Sequence, residues 1–324
     1  MAPRALITGI TGQDGSYLAE QLAGDGVEVV GLIRPGDRAL GPYETVVADL
    51  GDHAALRRAV AEVAPDAVYH LAAPSFVPAS WDEPAAVLDQ IAGATATLLR
   101  AAAAQPDPPR TFVATSAEVF GDCRVSPQNE DAPMVPRSPY GVAKLAAHRM
   151  TGVMRKRYGL FAVSGILFNH ESPRRPDHFL PRKVTRGAAR IAAGLDDALV
   201  LGSLDAVRDW SHAADIMRGA RLALAATEPR DYVFASGVGR TVGDLVDAAF
   251  DAAGVPAERR RVAVDPAFVR PPEATPPVGD PSRARELLGW EPQHDFAALI
   301  AEMVAADRAS LGGEPAAGAD PAPR

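Results

Sequence analysis

Cysteine is almost missing from this chain of 324 residues, where Cys123 stands alone. One thiol builds neither a disulfide framework nor a thiolate metal cluster, and a chain without disulfides suits a reducing, cytoplasmic setting. Positive charge is in deficit: Lys and Arg number 33 against 41 Asp and Glu, a formal net charge of −8. With no long basic run, this excludes a general nucleic-acid binder. No stretch approaches the ~18 consecutive apolar residues of a membrane span. The first apolar run breaks at Thr8-Gly9, so no signal peptide is expected. No internal repeat is evident. What the chain does have is 47% hydrophobic residues, enough for a real core, and a length that allows one large α/β unit or two domains.

The apolar run Ala5-Leu6-Ile7 reads as a buried strand. Gly9, Gly12 and Gly15 follow, and then a helical pattern from Ser16 to Leu22 that Gly24 and Gly26 end. Strand, glycine-rich turn and helix is the context a dinucleotide fingerprint requires. The glycines let backbone approach a pyrophosphate, and the helix N-terminus presents free N–H groups and about half a positive charge. The second strand, Val27 to Ile33, leads to Arg34 rather than to an acid. An acid there would hold the ribose hydroxyls of NAD, whereas an arginine suits the 2′-phosphate of NADP. A solvated surface arginine is the alternative.

Further strands are expected at Val46–Ala48, Ala67–Leu71 and Arg110–Thr115, with helices at His53–Val63 and Pro84–Ala104. Asp49 either holds the adenine amino group or caps the helix at His53. Ala72-Ala73 end the fourth strand and let a cofactor approach. His70 lies within that strand and reads as core. The βαβαβ alternation predicts an α/β fold with a doubly wound parallel sheet. Ligands bind at the carboxyl ends of such strands, where Ser116 and Glu118 fall.

Tyr140 and Lys144, four residues apart, share one helix face. A phenol titrates near ~10 and must drop by roughly 3 units to act as a base near neutrality. A neighbouring ammonium supplies roughly 1 kcal/mol in water and about 4 kcal/mol at an effective dielectric near 20. The pair therefore works only where water is partly excluded. Alone, this spacing is most often an ordinary amphipathic helix. Nucleotide-type glycines, a Ser/Glu pair and the Tyr/Lys pair occur in order with sensible spacing, an arrangement improbable by accident.

These residues resemble the extended short-chain dehydrogenase/reductase superfamily, and within it the GDP-mannose 4,6-dehydratase family. The resemblance rests on Leu6 to Glu20, Pro136 to Tyr140, Gly165 to Arg175, Arg208-Asp209-Trp210, Arg270 to Glu273, Gly279-Asp280-Pro281 and Leu288-Gly289-Trp290. It runs from about Arg4 to about Asp307. It implies a Rossmann domain over 1–168, a smaller substrate-binding α/β domain over 169–311 with segments returning to the first, and a tail over 312–324 expected to be disordered.

It also implies a nucleotide-diphosphate sugar as substrate, NADP as cofactor and a role for each matched residue. Ser116 would bond the sugar O4, Glu118 would remove the C5 proton, Tyr140 would take the 4-OH proton, and Lys144 would hold the nicotinamide ribose. The cofactor falls to Gly9, Thr11, Gly12, Gln13, Asp14, Gly15, Arg34, Asp49, Leu50, Leu71, Ala72, Ala73 and Ser75, with His170 and Arg175. Asn169, Lys183, Arg208 and Arg270 would hold the diphosphate, and Glu273 a nucleotide hydroxyl. Arg174, Arg175, Arg182 and Lys183 form a local basic cluster whose alternative is a solvated helix face.

The chain departs from the family at Ala117, where a hydroxyl residue is usual, at Pro74, Phe76 and Gln90, and in a shorter loop between Arg34 and Asp49. These departures keep a 4-reductase or epimerase as the second reading. The short loop points to a homodimer rather than a tetramer, its subunits joined through the Pro84–Ala104 helix and the one starting at Tyr140. Small residues such as Ala143, Ala146 and Ala147 would let these helices pack closely.

Overall fold

The computed structural model describes residues 2–38, 41–268 and 275–311. In chain order it holds β1 (Arg4–Thr8), α1 (Gln13–Gly24), β2 (Glu28–Ile33), β3 (Glu44–Val47), α2 (His53–Val63), β4 (Ala67–His70), α3 (Pro84–Leu88), α4 (Ala94–Ala102), β5 (Arg110–Ser116) and α5 (Pro139–Tyr158). There follow β6 (Ala162–Leu167), β7 (Asn169–Glu171), α6 (Leu180–Ala192), β8 (Leu199–Leu201), β9 (Val207–His212), α7 (Ala213–Ala225), β10 (Tyr232–Phe234), β11 (Gly239–Thr241), α8 (Val242–Ala253), β12 (Val262–Val264), α9 (Ser282–Leu288) and α10 (Phe296–Leu311).

Ala5, Leu6 and Ile7 are apolar without alternation because both faces of β1 are covered. On one face α1 and α7 bring Leu18, Leu22, Ile216 and Met217 onto the sheet. On the other, α2 and α4 bring Leu56, Val60 and Leu98. Each such leucine buried contributes about 1.5–3 kcal/mol. The seven strands run β10-β6-β5-β4-β1-β2-β3, and their pairings are parallel. The chain winds one way from β1 through β2 and the other way from β4, so the glycine turn after β1 leaves at the switch point, where such sheets bind ligands.

The residues form two compact units. Of the described residues, those within 1–170, 207–239 and 272–294 form one unit, which contains the seven-stranded sheet, and those within 171–206, 240–271 and 295–324 form the other. In the second unit Asp307 is wholly buried, and its oxygens meet Arg182 Nη2 at 2.8 Å and Thr185 Oγ1 at 2.7 Å. Burial pushes this carboxyl above its ordinary range. Arg182 of the basic cluster is thus a packing cation, tying α6 to α10.

Several local expectations shift. The third strand lies at Glu44–Val47, at the sheet edge and partly exposed, so alternation there is weak. The helix expected over Pro84–Ala104 is continuous but not uniform: Asp89–Gly93 form a π turn between α3 and α4. The helix at His53 is capped by Asp52, whose carboxylate accepts from the Ala55 amide at 2.8 Å, and not by Asp49, which accepts from the Gly51 amide. Ala143 and Ala147 do not lie on an outward face. They pack with Tyr140, Val87 and Ile91, leaving Val142, Ala146, Arg149 and Val153 along the outer side of α5.

Candidate active site

The glycine turn is shaped by close contacts. Gly9 has φ +77°, and a Cβ there would stand 2.9 Å from the Ala72 amide nitrogen. A Cβ on Gly15 would stand 2.2 Å from the Gly9 carbonyl oxygen. Gly12 caps α1 and its backbone amide is held by the Gly9 carbonyl at 3.0 Å, but no side chain caps the helix. No side chain therefore takes the capping place at the first amides of α1, which fits a pyrophosphate there.

Asp14 would oppose such an anion were it not paired. His170 Nε2 lies 2.9 Å from Asp14 Oδ2, and His170 Nδ1 lies 2.7 Å from the Phe168 carbonyl. Both partners are acceptors, so each ring nitrogen of His170 faces an acceptor and the ring is held between the two. The Gln13 side-chain amide joins the same turn by donating to the His170 carbonyl and to Asp14.

Thr8 organises the next strand end. Its hydroxyl accepts from the amides of Leu71 and Ala72, each at 3.1 Å, and meets His70 Nδ1 at 2.8 Å. With both lone pairs used, the hydroxyl donates to His70, whose proton then sits on Nε2. Burial and the Lys144 charge pull His70 down to about 3, so it stays neutral, a core histidine as its strand position implied.

Ser138 starts α5 by accepting from the Gly141 amide at 3.0 Å, with Pro139 in the first turn. Tyr140 is buried against Val87 and Ile91. One turn on, Lys144 is only 5% exposed, donates to the Ala114 carbonyl at 2.8 Å and lies 5.8 Å from the Tyr140 ring centre. Burial pulls its ammonium down to about 8 while Asp14 opposes the shift. The Ser116 hydroxyl at the end of β5 accepts from the Glu118 amide at 3.2 Å, fixing the short turn that carries Glu118. A Cβ on Gly141 would stand 2.6 Å from the Glu118 carbonyl oxygen. Only glycine lets the Glu118 turn sit against the first turn of the Tyr140 helix.

Sequence reasoning thus named Ser116, Glu118, Tyr140, Lys144, the glycines, Asp14 and His170, which the first unit holds together. It missed Thr8 as a hydroxyl hub and Gly141 as a spacer. Arg34 is 69% exposed and paired with Asp37 at 3.0 Å, which raises its pKa further. Asp49 and Ser75 are exposed, while Thr11, Leu50 and Ala73 are half-buried. Asn169 and Arg208 stand on short strands of the first unit, the Arg208 guanidinium donating to the Val207 carbonyl at 2.5 Å. Beside Arg208, the buried carboxylate of Asp209 accepts from Ser236, Gly237 and Gly279. Arg175 and Lys183 belong to the second unit, Arg175 ion-paired with Glu171 at 3.1 Å and Lys183 lying 4.3 Å over the Phe268 ring. Arg270, Glu273 and the segment 312–324 lie outside the described residues.

A parallel sheet wound both ways from β1, a glycine cradle at its switch point and a Tyr/Lys helix beside a Ser/Glu turn define an extended short-chain dehydrogenase/reductase. Comparison with known proteins narrows the class. The family model described as GDP-mannose 4,6 dehydratase matches residues 6–303, and the chain belongs to that family. The GDP-mannose 4,6 dehydratase 2 of Arabidopsis thaliana is 43% identical over 94% of this chain and 86% of the relative. The GDP-mannose 4,6-dehydratase of Vibrio cholerae serotype O1 is 40% identical over 94% of this chain and 93% of the relative. The solved structure of RMD from Pseudomonas aeruginosa complexed with NADPH superposes with TM-score 0.82 at 25% identity, covering 95% of this chain and 100% of that one.

Proposed function

We propose that this chain is an NADP-dependent nucleotide-sugar 4,6-dehydratase that converts GDP-mannose to GDP-4-keto-6-deoxymannose. The observation that carries the reading is the Glu118 turn seated against the Tyr140–Lys144 helix through Gly141, in a chain of the GDP-mannose 4,6-dehydratase family. The glycine cradle, the α1 amides and the His170–Asp14 pair would hold the dinucleotide, with Arg34 on its 2′-phosphate and Asp49 on the adenine. Ser116 would orient the sugar O4. Asn169, Lys183 and Arg208, together with Arg270, are assigned to the diphosphate, Arg175 to the cofactor and Glu273 to a nucleotide hydroxyl.

When bound, the nicotinamide would supply the hydride acceptor for C4 and the hydride donor for C6, so no reductant would be consumed over a cycle, and the proton regained at C5 would come from solvent. Tyr140 takes the 4-OH proton, its phenolate stabilised by the Lys144 ammonium. The C5 proton is barely acidic until C4 is a ketone, after which the Glu118 carboxylate suffices as base. The C6 hydroxyl then leaves as water. Ala117 carries no acid, so the proton for departure comes from Glu118, just protonated at C5, or from solvent.

Glu118→Gln tests this. It should leave C4 oxidation intact, giving NADPH absorbance with GDP-mannose, while proton exchange at C5 in D₂O and loss of water fall roughly 10²–10⁴-fold. Tyr140→Phe should show neither signal. A Glu118→Gln enzyme that forms the 4-keto-6-deoxy product near the parent rate would end the dehydratase mechanism, and stoichiometric use of added NADPH would favour the reductase reading motivated by Ala117. We also propose a cytoplasmic homodimer. Among the described residues no helix is long and apolar enough to cross a membrane, and Val142 and Val153 are exposed along the outer side of α5.

A further inference from the structure

A hollow of about 520 Å³ opens at the amino end of the large sheet, where β4 and β5 begin and α1 and α7 end. The mechanism above uses none of its residues. Its apolar wall includes Leu22, Leu222 and Tyr69, and its polar wall is Arg110, Arg218 and Arg221. The charges are not balanced. Arg221 is paired with Asp25. Asp66, also in the lining, accepts from the Arg4 amide at 2.7 Å. Arg110 instead donates to the Leu224 and Ala226 carbonyls at 2.7 and 2.8 Å, with its guanidinium 4.1 Å over the Phe161 ring. Arg218 donates to the Glu291 carbonyl, and its Nε is buried without a hydrogen-bond partner among the described residues. Neither Arg110 nor Arg218 meets a carboxylate among the described residues.

Tyr69 adds a second, independent feature. It is 4% exposed and lines the hollow, and among the described residues no protein group bonds its hydroxyl, which is not one of the sealed unpaired atoms and so opens to the hollow. Burial holds this phenol well above its ordinary range, so it stays protonated and can donate. A hydroxyl that bonds no protein group and opens into a hollow is free to bond a ligand or water. The groups left over in this wall are thus donors and positive charges, set in a mainly apolar surface. The complement is an acceptor carrying negative charge on a flat apolar body.

We propose that this hollow is a second ligand site, taking a small aromatic anion whose charged group meets Arg218 and the Tyr69 hydroxyl and whose body rests on Leu22 and Leu222. The test is a fluorescence titration of the full chain with 1-anilino-8-naphthalenesulfonate, with NADPH and GDP in excess to fill the catalytic site. One saturable site per chain is expected, displaced by phenyl phosphate and not by uncharged benzyl alcohol. Ala225→Trp, a change at the exposed rim, should weaken dye binding at least tenfold. Tyr69→Phe should weaken it several-fold without lowering the melting temperature, because the hydroxyl it removes bonds nothing in the protein. Loss of the signal on adding NADPH and GDP would place the dye in the catalytic site and overturn the proposal. Equal displacement by benzyl alcohol, dye binding unchanged in Ala225→Trp, or a lowered melting temperature in Tyr69→Phe would each overturn it as well.

Discussion

Replacing Lys144 with methionine separates the energetic consequences of its burial from its role in chemistry. The folded chain holds this ammonium at about 8 against a reference of 10.5. Below pH 8 both the folded and unfolded chains carry the proton, and burial of the charge is a constant penalty. As pH rises through 8 the folded chain releases the proton while the unfolded chain keeps it until 10.5, so stability rises across that window. Between pH 7 and 9.5 the relief amounts to about 2 kcal/mol. In Lys144→Met the Ala114 carbonyl loses its donor, which shifts stability by an amount that does not depend on pH. The assay is urea unfolding of the ligand-free parent and variant at several values from pH 7 to 9.5. The parent should gain about 2 kcal/mol on the variant over that range. Curves that stay parallel within about 0.5 kcal/mol would refute the reasoning. Turnover gives an independent reading. An ammonium 5.8 Å from the Tyr140 ring centre stabilises a phenolate by about 3 kcal/mol at an effective dielectric near 20, so Lys144→Met should lose about 10²-fold in kcat near neutral pH.

NADP(H) should bind more tightly than NAD(H), and Arg34→Ala should erase most of the difference by weakening NADP(H) alone; equal affinities in the parent would reject the assignment. Gly15→Ala should abolish dinucleotide binding in a titration while the chain still folds, since its Cβ would stand 2.2 Å from the Gly9 carbonyl oxygen. Asp209→Ala leaves the Ser236, Gly237 and Gly279 amides without their acceptor, and unfolding by urea should show a loss of about 3 kcal/mol or more. Light scattering at micromolar concentration should give a dimer for the parent and a monomer for Val142→Arg; a monomeric parent would remove the dimer reading.

The strands at the centre of the sheet were legible because parallel strands covered on both faces must be continuously apolar, as Ala5-Leu6-Ile7 are. The edge strand at Glu44–Val47 is half solvated, and its position slid. Ser116, Glu118, Tyr140 and Lys144 could be singled out as candidates because their types and spacing suit chemistry at a strand end. How they meet could not. Gly141 looks like any helical glycine until the Glu118 carbonyl is found against it. His170 and Asp14 are far apart in the chain, and only the fold shows that both nitrogens of that ring face acceptors. Thr8 read as the end of an apolar run because a hydroxyl that serves two amides and a histidine leaves no periodic signal. The π turn is equally silent, since the apolar pattern continues through it.

That turn sets the phase of one helix against another. Five residues, Asp89–Gly93, occupy a widened loop of backbone between α3 and α4. A π turn holds one residue more than an α turn, and each residue of an α-helix advances the side chain by about 100°. The helix before the turn is therefore rotated relative to the helix after it: Val87 and Ile91 lie in the cluster that holds Tyr140, while Leu98, further along, lies in the cluster that holds Leu56 and Val60 of α2. Deleting one residue from Asp89–Gly93 would remove that offset and change the face that α3 presents relative to α4. The site thus depends on the length of a segment as well as on its composition. A chain of this kind could keep every residue named above and still repack the cluster around Tyr140 through a change of a single codon in number.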